Sequence, residues 1–132
     1  MQFMLDTNIC IYIIRNHPAQ IVERVKHYHP SDLVISAITV CELEYGASKS
    51  GNPEKNRQAL KRFLFPFEIS PFSEQAAFHY GDIRAHLERE GKIICAMDLL
   101  IAAHARSMSL TLVTNNLKEF ERVPGLKAES WL

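Results

Sequence analysis

The chain has 132 residues, of which 47% are hydrophobic and 23% are charged. This length is too short for two domains, and the composition is that of an ordinary globular protein, so we expect a single domain, residues 1–132. The 15 Lys and Arg residues balance 15 Asp and Glu residues, which excludes a chain that is basic overall. The balance identifies no partner class, because a neutral total can hide a basic rim around an acidic cleft.

The three cysteines, Cys10, Cys41 and Cys95, are widely spaced and form no C-x-x-C pair. This pattern argues against a disulfide framework and a zinc knuckle, and apolar neighbours predict that each cysteine is a small buried side chain. Residues 1–14 lack the basic region of a signal peptide, and no apolar run is long enough to span a membrane. We therefore expect a cytoplasmic protein without a membrane partner.

Short apolar runs alternate along the chain with segments whose hydrophobic residues recur at helical spacing. The predicted elements, in chain order, are strand 3–5, helices 9–15 and 20–28, strand 33–35, helices 37–47 and 53–64, strand 68–70, helices 73–90 and 98–107, strand 110–114, helix 117–120 and strand 126–131. Continuously apolar strands separated by helices are typical of a parallel sheet with helices on both faces. The predicted fold class is α/β with a central, mainly parallel sheet.

Polar residues follow two of the predicted strands at the point where each strand ends. Asp6 comes directly after strand 3–5, and Asn115 and Asn116 come directly after Thr114. In an open parallel sheet, ligands bind outside the carboxyl ends of the strands. The two polar clusters therefore predict a ligand site at this end of the sheet.

Two further acids lie among the apolar residues of predicted helices. Glu42 shares a helical stripe with Ile38 and Tyr45, and Asp98 opens an otherwise apolar helix. A buried, unpaired carboxylate is costly, and carboxylates that converge repel one another, so a divalent cation would remove the penalty. Oxygen ligands without a Cys or His cluster favour Mg²⁺ or Mn²⁺ over zinc.

Each acid also has a purely structural interpretation. Asp6 fits a turn or an N-cap, and Asp98 fits the first turn of a helix, where the macrodipole favours an acid. Glu42 could pair with a nearby Lys or Arg. Taken together, these interpretations require three independent coincidences at one end of the sheet. We therefore predict that Asp6, Glu42 and Asp98 surround one polar cleft.

The six histidines offer a metal-free alternative, because a pair of imidazoles can cleave RNA by acid–base catalysis. His79 and His86 lie seven residues apart on one predicted helix, and His104 lies among alanines. Nothing in the sequence brings two histidines to the carboxyl end of the sheet. They are predicted to be solvated or to belong to the core.

Four motifs occur in a fixed order along essentially the whole chain. They are MLDTN at 4–8, SAITVCELEYG at 36–46, DLLIAAHA at 98–105 and VTNNLKEF at 113–120. Together the motifs resemble those of the PIN-domain ribonucleases, and more narrowly those of the VapC toxins of bacterial VapBC toxin–antitoxin pairs. One such motif would be weak evidence, whereas four in order are specific.

The resemblance implies a PIN-like three-layer α/β/α sandwich and a Mg²⁺- or Mn²⁺-dependent endoribonuclease that cuts structured RNA, commonly tRNA in its anticodon region. It also implies a homodimer that is neutralised by a VapB antitoxin whose tail enters the active site. Carried over by position, Asp6, Glu42 and Asp98 are the metal ligands and catalytic acids. The polar residues expected to orient the carboxylates or a water are Thr7, Asn8 and Thr114.

The chain departs from the family pattern in two places. Many PIN domains place an acid after the last motif strand, in a Thr-Asn-Asp pattern, where this chain ends in Asn116. Asn116 is expected to face the cleft as a fourth catalytic residue, and Glu119, about one helical turn later, is the alternative source of charge. Segment 91–97 reads GKIICAM where relatives often carry Pro and Gly, which concerns the shape of that loop and not the acid.

In the predicted mechanism, one or two cations activate a water for in-line attack on the phosphate, leaving a 5′-phosphate and a 3′-hydroxyl. Basic residues must then hold the RNA backbone. The candidates, by their nearness in sequence to the motifs, are Lys49, Lys92, Lys118 and Arg122.

Three other functions fit parts of the pattern. A phosphatase of the haloacid-dehalogenase type needs a second Asp two residues after Asp6, where Asn8 stands, and a response-regulator receiver needs paired acids at the first strand. A non-catalytic PIN-like module that binds RNA or a partner is supported by the missing fourth acid, whereas the three retained acids argue against it. This module is the alternative to the ribonuclease.

Helices 20–28 and 53–65 carry more apolar residues than one small sheet needs for its cover. These residues are Ile21, Val22, Val25, Leu60, Phe63 and Leu64. With the resemblance, they predict that some of the two helices' apolar side chains form a homodimer interface.

Overall fold

Five parallel strands form one sheet in residues 2–132, the part of the chain that this computed structural model describes. The strands are β1 (Phe3–Leu5), β2 (Leu33–Ser36), β3 (Glu68–Ser70), β4 (Thr111–Val113) and β5 (Lys127–Glu129). They lie in the order β3-β2-β1-β4-β5, and every neighbouring pair is parallel. The expected parallel sheet is confirmed, and β1 is its central strand.

Helices cover both faces of the sheet. They are α1 (Thr7–Arg15), α2 (Ala19–Lys26), α3 (Ala37–Ser48), α4 (Pro53–Leu64), α5 (Glu74–Arg89), α6 (Ala96–Ser107) and α7 (Leu117–Phe120), with a 3₁₀ turn at Pro30–Asp32. Successive strand residues point to opposite faces, so Phe3 and Leu5 pack with Ile9 of α1, whereas Met4 packs with Ile83 of α5. Two cores on either side of one sheet confirm the three-layer α/β/α sandwich.

Side-chain caps explain where several helices begin. The Ser36 hydroxyl accepts a hydrogen bond from the Ile38 N–H at 3.0 Å, and the Ser73 hydroxyl accepts one from the Ala76 N–H at 3.2 Å. Each cap satisfies a backbone donor that has no partner within its own helix. Ser36 is also the last residue of β2, so α3 starts directly at the carboxyl end of that strand.

His104 lies in the core and connects two strands to α6. Its Nδ1 is 2.7 Å from the Ser36 hydroxyl at the end of β2, and its Nε2 is 3.1 Å from the Ser70 hydroxyl at the end of β3. The side chain is 1% exposed, and burial lowers the pKa of the imidazole, which favours its neutral form. The interpretation of His104 as a core histidine is confirmed.

The structure corrects the expectation that all three cysteines are buried. Cys10 is buried, but Cys41 and Cys95 are exposed. Cys41 does not share a helix face with its apolar neighbours in sequence, and Cys95 lies in the loop just before α6. Of the six apolar residues named for a dimer interface, Ile21 and Leu60 are buried in the core of the chain itself, and the interface stays a prediction for the other four. No helix within residues 2–132 is long and apolar enough to cross a membrane.

Candidate active site

Asp6 lies at the carboxyl end of the central strand and begins α1. Its Oδ1 accepts a hydrogen bond from the Ile9 N–H at 2.9 Å, so the carboxylate caps the helix. The side chain is 5% exposed, and this burial raises the pKa of Asp6, as does the charge of Glu42. Hydrogen bonds from the Thr114 hydroxyl and from backbone N–H groups lower the same pKa. Asp6 therefore has two roles: it caps α1 and it contributes a carboxylate to the site.

Glu42 reaches the same place from the middle of α3. Its Oε1 accepts a hydrogen bond from the Thr7 hydroxyl at 2.5 Å, and the Thr7 oxygen is also 3.4 Å from the Thr39 hydroxyl. Thr7 is the first residue of α1, directly after Asp6. The contact therefore fixes the half-buried Glu42 carboxylate beside the strand end that carries Asp6.

Asp98 lies in the first turn of α6 and is half-buried. Burial raises the pKa of Asp98 to about 7, and a hydrogen bond with Glu119 and the charges of Glu119, Glu42 and Asp6 act in the same direction. Charges influence one another strongly only at short range. The four acids, which come from four different elements, are therefore gathered at the carboxyl end of the sheet.

Of the polar residues that follow β4, Glu119 is the one that contacts Asp98, and Asn116 is not. The Asn116 side chain is exposed, and its Nδ2 donates a hydrogen bond to Glu119 Oε2 at 2.8 Å. Glu119 Oε1 is buried and receives no donor among the described residues, so a protonated Asp98 is the group that can donate to it. Asn116 thus lies at the rim of the site, and its catalytic role stays a prediction.

The supporting polar groups differ in how they are placed. Thr7 and Thr114 contact the acids, and the Thr114 oxygen also accepts a hydrogen bond from the Asn116 N–H at 3.0 Å. Asn8 is exposed. Asn115 belongs to the predicted polar cluster but was not assigned a role, and it is the more enclosed of the two amides: both its polar atoms are buried without a partner among residues 2–132. The doubled asparagine after β4 gave no sign of which amide would be enclosed.

The four acids have no cationic partner among the described residues, because none of the ion pairs in residues 2–132 involves them. Within the same residues, no group of three or more His, Cys, Asp or Glu side chains is placed to hold a metal ion. Asp6, Glu42 and Glu119 are instead hydrogen-bonded within the protein. The donor set fits a hard divalent cation in chemistry and charge, and its carboxylates must exchange protein partners to bind one.

A family profile described as "PIN domain" matches residues 3–126. The chain belongs to the PIN-domain family. It is 47% identical over 131 residues to the tRNA(fMet)-specific endonuclease VapC of Salmonella typhimurium, covering 99% of this chain and 98% of the relative. It is 46% identical over 132 residues to Ribonuclease VapC2 of Haemophilus influenzae, covering 100% and 99%. These relatives place the chain in the VapC branch of the family.

Solved structures of VapBC complexes contain the same fold as this PIN-domain chain. The DNA-bound VapBC of Salmonella typhimurium matches with a TM-score of 0.95 and 47% identity, covering 100% of this chain and 99% of the other. VapBC2 of Rickettsia felis, bound to a DNA fragment from its promoter, matches with a TM-score of 0.93 and 45% identity over the whole of both chains. The resemblance inferred from the four motifs is confirmed.

A groove of about 240 Å³ opens beside Glu42 in the PIN domain, between α1, α3 and α4. Most of its wall is aliphatic, with Glu42 and Arg15 as the charged members. The lining residues are Ile11, Ile14, Arg15, Glu42, Leu43, Gly46, Ala47, Asn56, Ala59 and Leu60. The groove therefore continues from the acids onto an apolar surface that a peptide side chain could cover.

The crowding of acids in this PIN domain predicts a pH-dependent stability in metal-free solution. Asp98 has a pKa of about 7 in the folded chain against an ordinary value of 3.8, so the folded state binds the extra proton between those pH values. The contribution of Asp98 to stability should therefore fall as the pH rises through this interval. The measurement is the urea midpoint across this pH range in EDTA.

An Asp98→Asn variant should flatten this pH profile, because its side chain cannot ionise. Glu121→Gln is the matched control, since Glu121 is an exposed acid just after α7. If the urea midpoints of Asp98→Asn and of the unaltered protein change in parallel with pH, Asp98 is not the carboxyl responsible for the pH dependence.

Proposed function

We propose that this chain is the toxin of a type II toxin–antitoxin pair and acts as a Mg²⁺- or Mn²⁺-dependent endoribonuclease. One observation carries the proposal: the carboxylates of Asp6, Glu42, Asp98 and Glu119 gather at one end of the sheet, and no Lys or Arg within residues 2–132 pairs with them. A purely structural cluster would be expected to include a Lys or Arg, because unpaired buried charges are costly.

Asp6, Glu42 and Asp98 would hold the metal, and Glu119 would supply the fourth charge that Asn116 lacks. When bound, a divalent cation supplies Lewis acidity that activates a water and stabilises charge on the phosphate. Thr7 and Thr114 orient the Glu42 and Asp6 carboxylates by hydrogen bonds. Without metal, the pKa of about 7 favours a protonated Asp98 below neutral pH, and this carboxyl donates a hydrogen bond to Glu119. Release of the proton makes both carboxylates available.

The proposed substrate is structured RNA. Transfer RNA is the first candidate, because a relative with 47% identity is named as a tRNA(fMet)-specific endonuclease. Such a toxin would act in the cytoplasm, where tRNA is found. The test is a gel assay of the purified chain on a mixed tRNA pool, with Mg²⁺ and with EDTA. Discrete fragments with 5′-phosphates that appear only with the metal are the expected result, whereas RNA that is bound but never cut would support the non-catalytic alternative.

We also propose that the groove beside Glu42 receives the tail of a VapB-type antitoxin. The matched solved structures are VapBC complexes, and the groove joins an apolar wall to an acid. The matching peptide segment would carry aliphatic side chains and one Lys or Arg near its end. The aliphatic side chains would be buried against the apolar wall, and the cationic side chain would lie beside Glu42. Such a cation would compete with the metal for the carboxylates. The toxin is further proposed to be a homodimer.

A Gly46→Leu substitution tests the groove without touching the acids. A Cβ at Gly46 meets no atom within 4 Å, so the fold can accept the side chain, which then fills part of the groove. We expect antitoxin affinity to fall about tenfold or more, with tRNA cleavage retained. The measurement is calorimetric titration of the toxin with its antitoxin.

Gly81→Leu is the matched control for the groove variant, because Gly81 also lies within a helix and its Cβ also meets no atom within 4 Å. Equal antitoxin affinity for the two variants would remove the groove from the complex.

A further inference from the structure

The charges of this electrically neutral chain are unevenly distributed. The segment 45–65, which contains the end of α3 and all of α4, has Glu54 as its one acid and five cationic residues. The cationic residues are Lys49, Lys55, Arg57, Lys61 and Arg62. The site itself contributes four acids. The neutral total therefore combines an acidic cleft with a cationic helical hairpin.

The five cations of the hairpin are exposed, and no ion pair within residues 2–132 occupies any of them. Arg57 has a neutral partner, since its Nη2 donates to the Ser48 hydroxyl at 3.2 Å. On other elements the pattern differs: Arg84 pairs with Glu88 at 3.3 Å, and Arg106 pairs with Asp82 at 2.6 Å. The hairpin thus presents cations that are free to bind an external anion.

Helix α3 connects this cationic surface to the acids. Glu42, Tyr45 and Lys49 are spaced i, i+3 and i+7, so they lie along one face of the helix. Lys49 is about 10 Å from Glu42 along the helix axis. Tyr45 is 66% exposed, and the Lys49 ammonium lies 4.8 Å from the centre of its ring. An aromatic ring and a cation thus follow the catalytic acid in a line.

We infer that the α3–α4 surface, defined as Tyr45, Lys49, Lys55, Arg57, Lys61 and Arg62, binds the phosphate backbone of the RNA next to the cleaved bond. This inference rests on the proposed function. Cations on the hairpin offset the repulsion between the acidic cleft and the RNA, and they bind phosphates without reading sequence. Tyr45 provides a face on which an unpaired base stacks.

RNA suits this surface better than a protein partner does. The outward side of α4 carries cations and no exposed aliphatic cluster, whereas the groove on its inward side is mostly aliphatic. An apolar peptide segment is therefore matched by the groove, and a polyanion is matched by the α3–α4 surface. The two partners would approach opposite sides of the same helix.

A triple variant, Lys49→Gln, Lys61→Gln and Arg62→Gln, tests the cationic part of the surface. Its control replaces Lys26, Lys127 and Arg89 by Gln, which removes two Lys and one Arg that are also exposed. Both are compared in an Asp6→Asn background by fluorescence anisotropy with a labelled tRNA over a range of salt concentrations. The surface variant should bind roughly tenfold or more weakly, with a salt slope smaller by about 2 to 3, and the control should match the parent.

Tyr45→Ala tests the stacking part, with Phe78→Ala as its control because Phe78 is an equally exposed aromatic on α5. Tyr45→Ala should weaken binding to a hairpin RNA with an unpaired loop by roughly fivefold or more, and should leave binding to a blunt RNA duplex unchanged. Phe78→Ala should change neither. Equal losses on both RNAs would overturn the stacking role.

The outcomes for the surface and for the enzyme can be told apart. If the unaltered chain cuts tRNA but the surface and control triple variants bind RNA equally well, the inference is wrong and the proposed function stands. If the unaltered chain never cuts RNA, the proposed function fails regardless of binding. If the surface variant loses antitoxin affinity instead of RNA affinity, the surface belongs to a protein interface and the inference is overturned.

Discussion

Replacement of Asp98 by Asn is expected to lower tRNA cleavage by about a hundredfold or more, because changes even to groups that merely support a metal ligand cost 10- to 100-fold. The substitution preserves the size of the side chain and removes one negative charge from the cluster. Burial, a hydrogen bond with Glu119 and the charges of the neighbouring acids raise the pKa of Asp98 to about 7, so its ionised form is costly in the folded chain. The metal-free variant should therefore be at least as stable as the parent above neutral pH.

The measurement is the initial rate of tRNA cleavage at saturating Mg²⁺, together with the urea midpoint in EDTA. Asp6→Asn should behave similarly, and Asn is preferred to Ala because the side-chain oxygen caps α1 through the Ile9 N–H; losing such a cap costs about 0.5–2 kcal/mol. Glu119→Gln should reduce the rate less, and Glu121→Gln should not reduce it. Undiminished cleavage by Asp98→Asn would remove the carboxylate mechanism.

The second large effect concerns stability. His104→Ala should lower the free energy of unfolding by about 3–5 kcal/mol, since it empties a buried site and removes one hydrogen-bond partner from each of two buried hydroxyls. Those hydroxyls belong to Ser36 and Ser70, which lie at the ends of neighbouring strands β2 and β3. A loss of this size is a large part of the stability of an ordinary domain, which is about 5–15 kcal/mol.

Urea unfolding at neutral and mildly acidic pH measures the effect, with His17→Ala as the control because His17 is exposed. His104 should subtract stability from the parent as the pH falls below 6.5, in opposition to the contribution of Asp98, because the pKa of His104 is lowered in the folded state and the unfolded chain binds the proton more readily. His104→Ala should lack this part of the pH dependence. A destabilisation no larger than that of His17→Ala would contradict the role of His104.

The order of strands and helices could be predicted because each element has a local signal. Ser36 and Pro53 stand at helix starts, and the three inner strands β2, β1 and β4 are short, mainly apolar runs. Asp6 could be located for the same reason, since a strand end is visible in sequence and its position in a parallel sheet follows from geometry. The features that could be predicted are thus those that residues adjacent in sequence determine.

The remaining details depend on contacts between distant segments. Glu119 faces Asp98 because Asn116 holds its other oxygen, and no spacing rule reveals which way a four-residue helix turns its side chains. Cys41 and Cys95 are exposed for a related reason, because hydrophobic neighbours in sequence point elsewhere in space. His104 finds its serines on two strands that lie 68 and 34 residues away.

The topology of the sheet also determines when a newly made chain can become toxic. The central strand β1 pairs with β2 and with β4, which begins at Thr111, and Asp98 and Glu119 come from the last third of the chain. An unfinished polypeptide on the ribosome therefore has no assembled cluster of acids and cannot damage the RNA that is being used to make it. Pairings this distant in sequence also form slowly. The delay gives an antitoxin that is made alongside time to meet the toxin as its activity first appears.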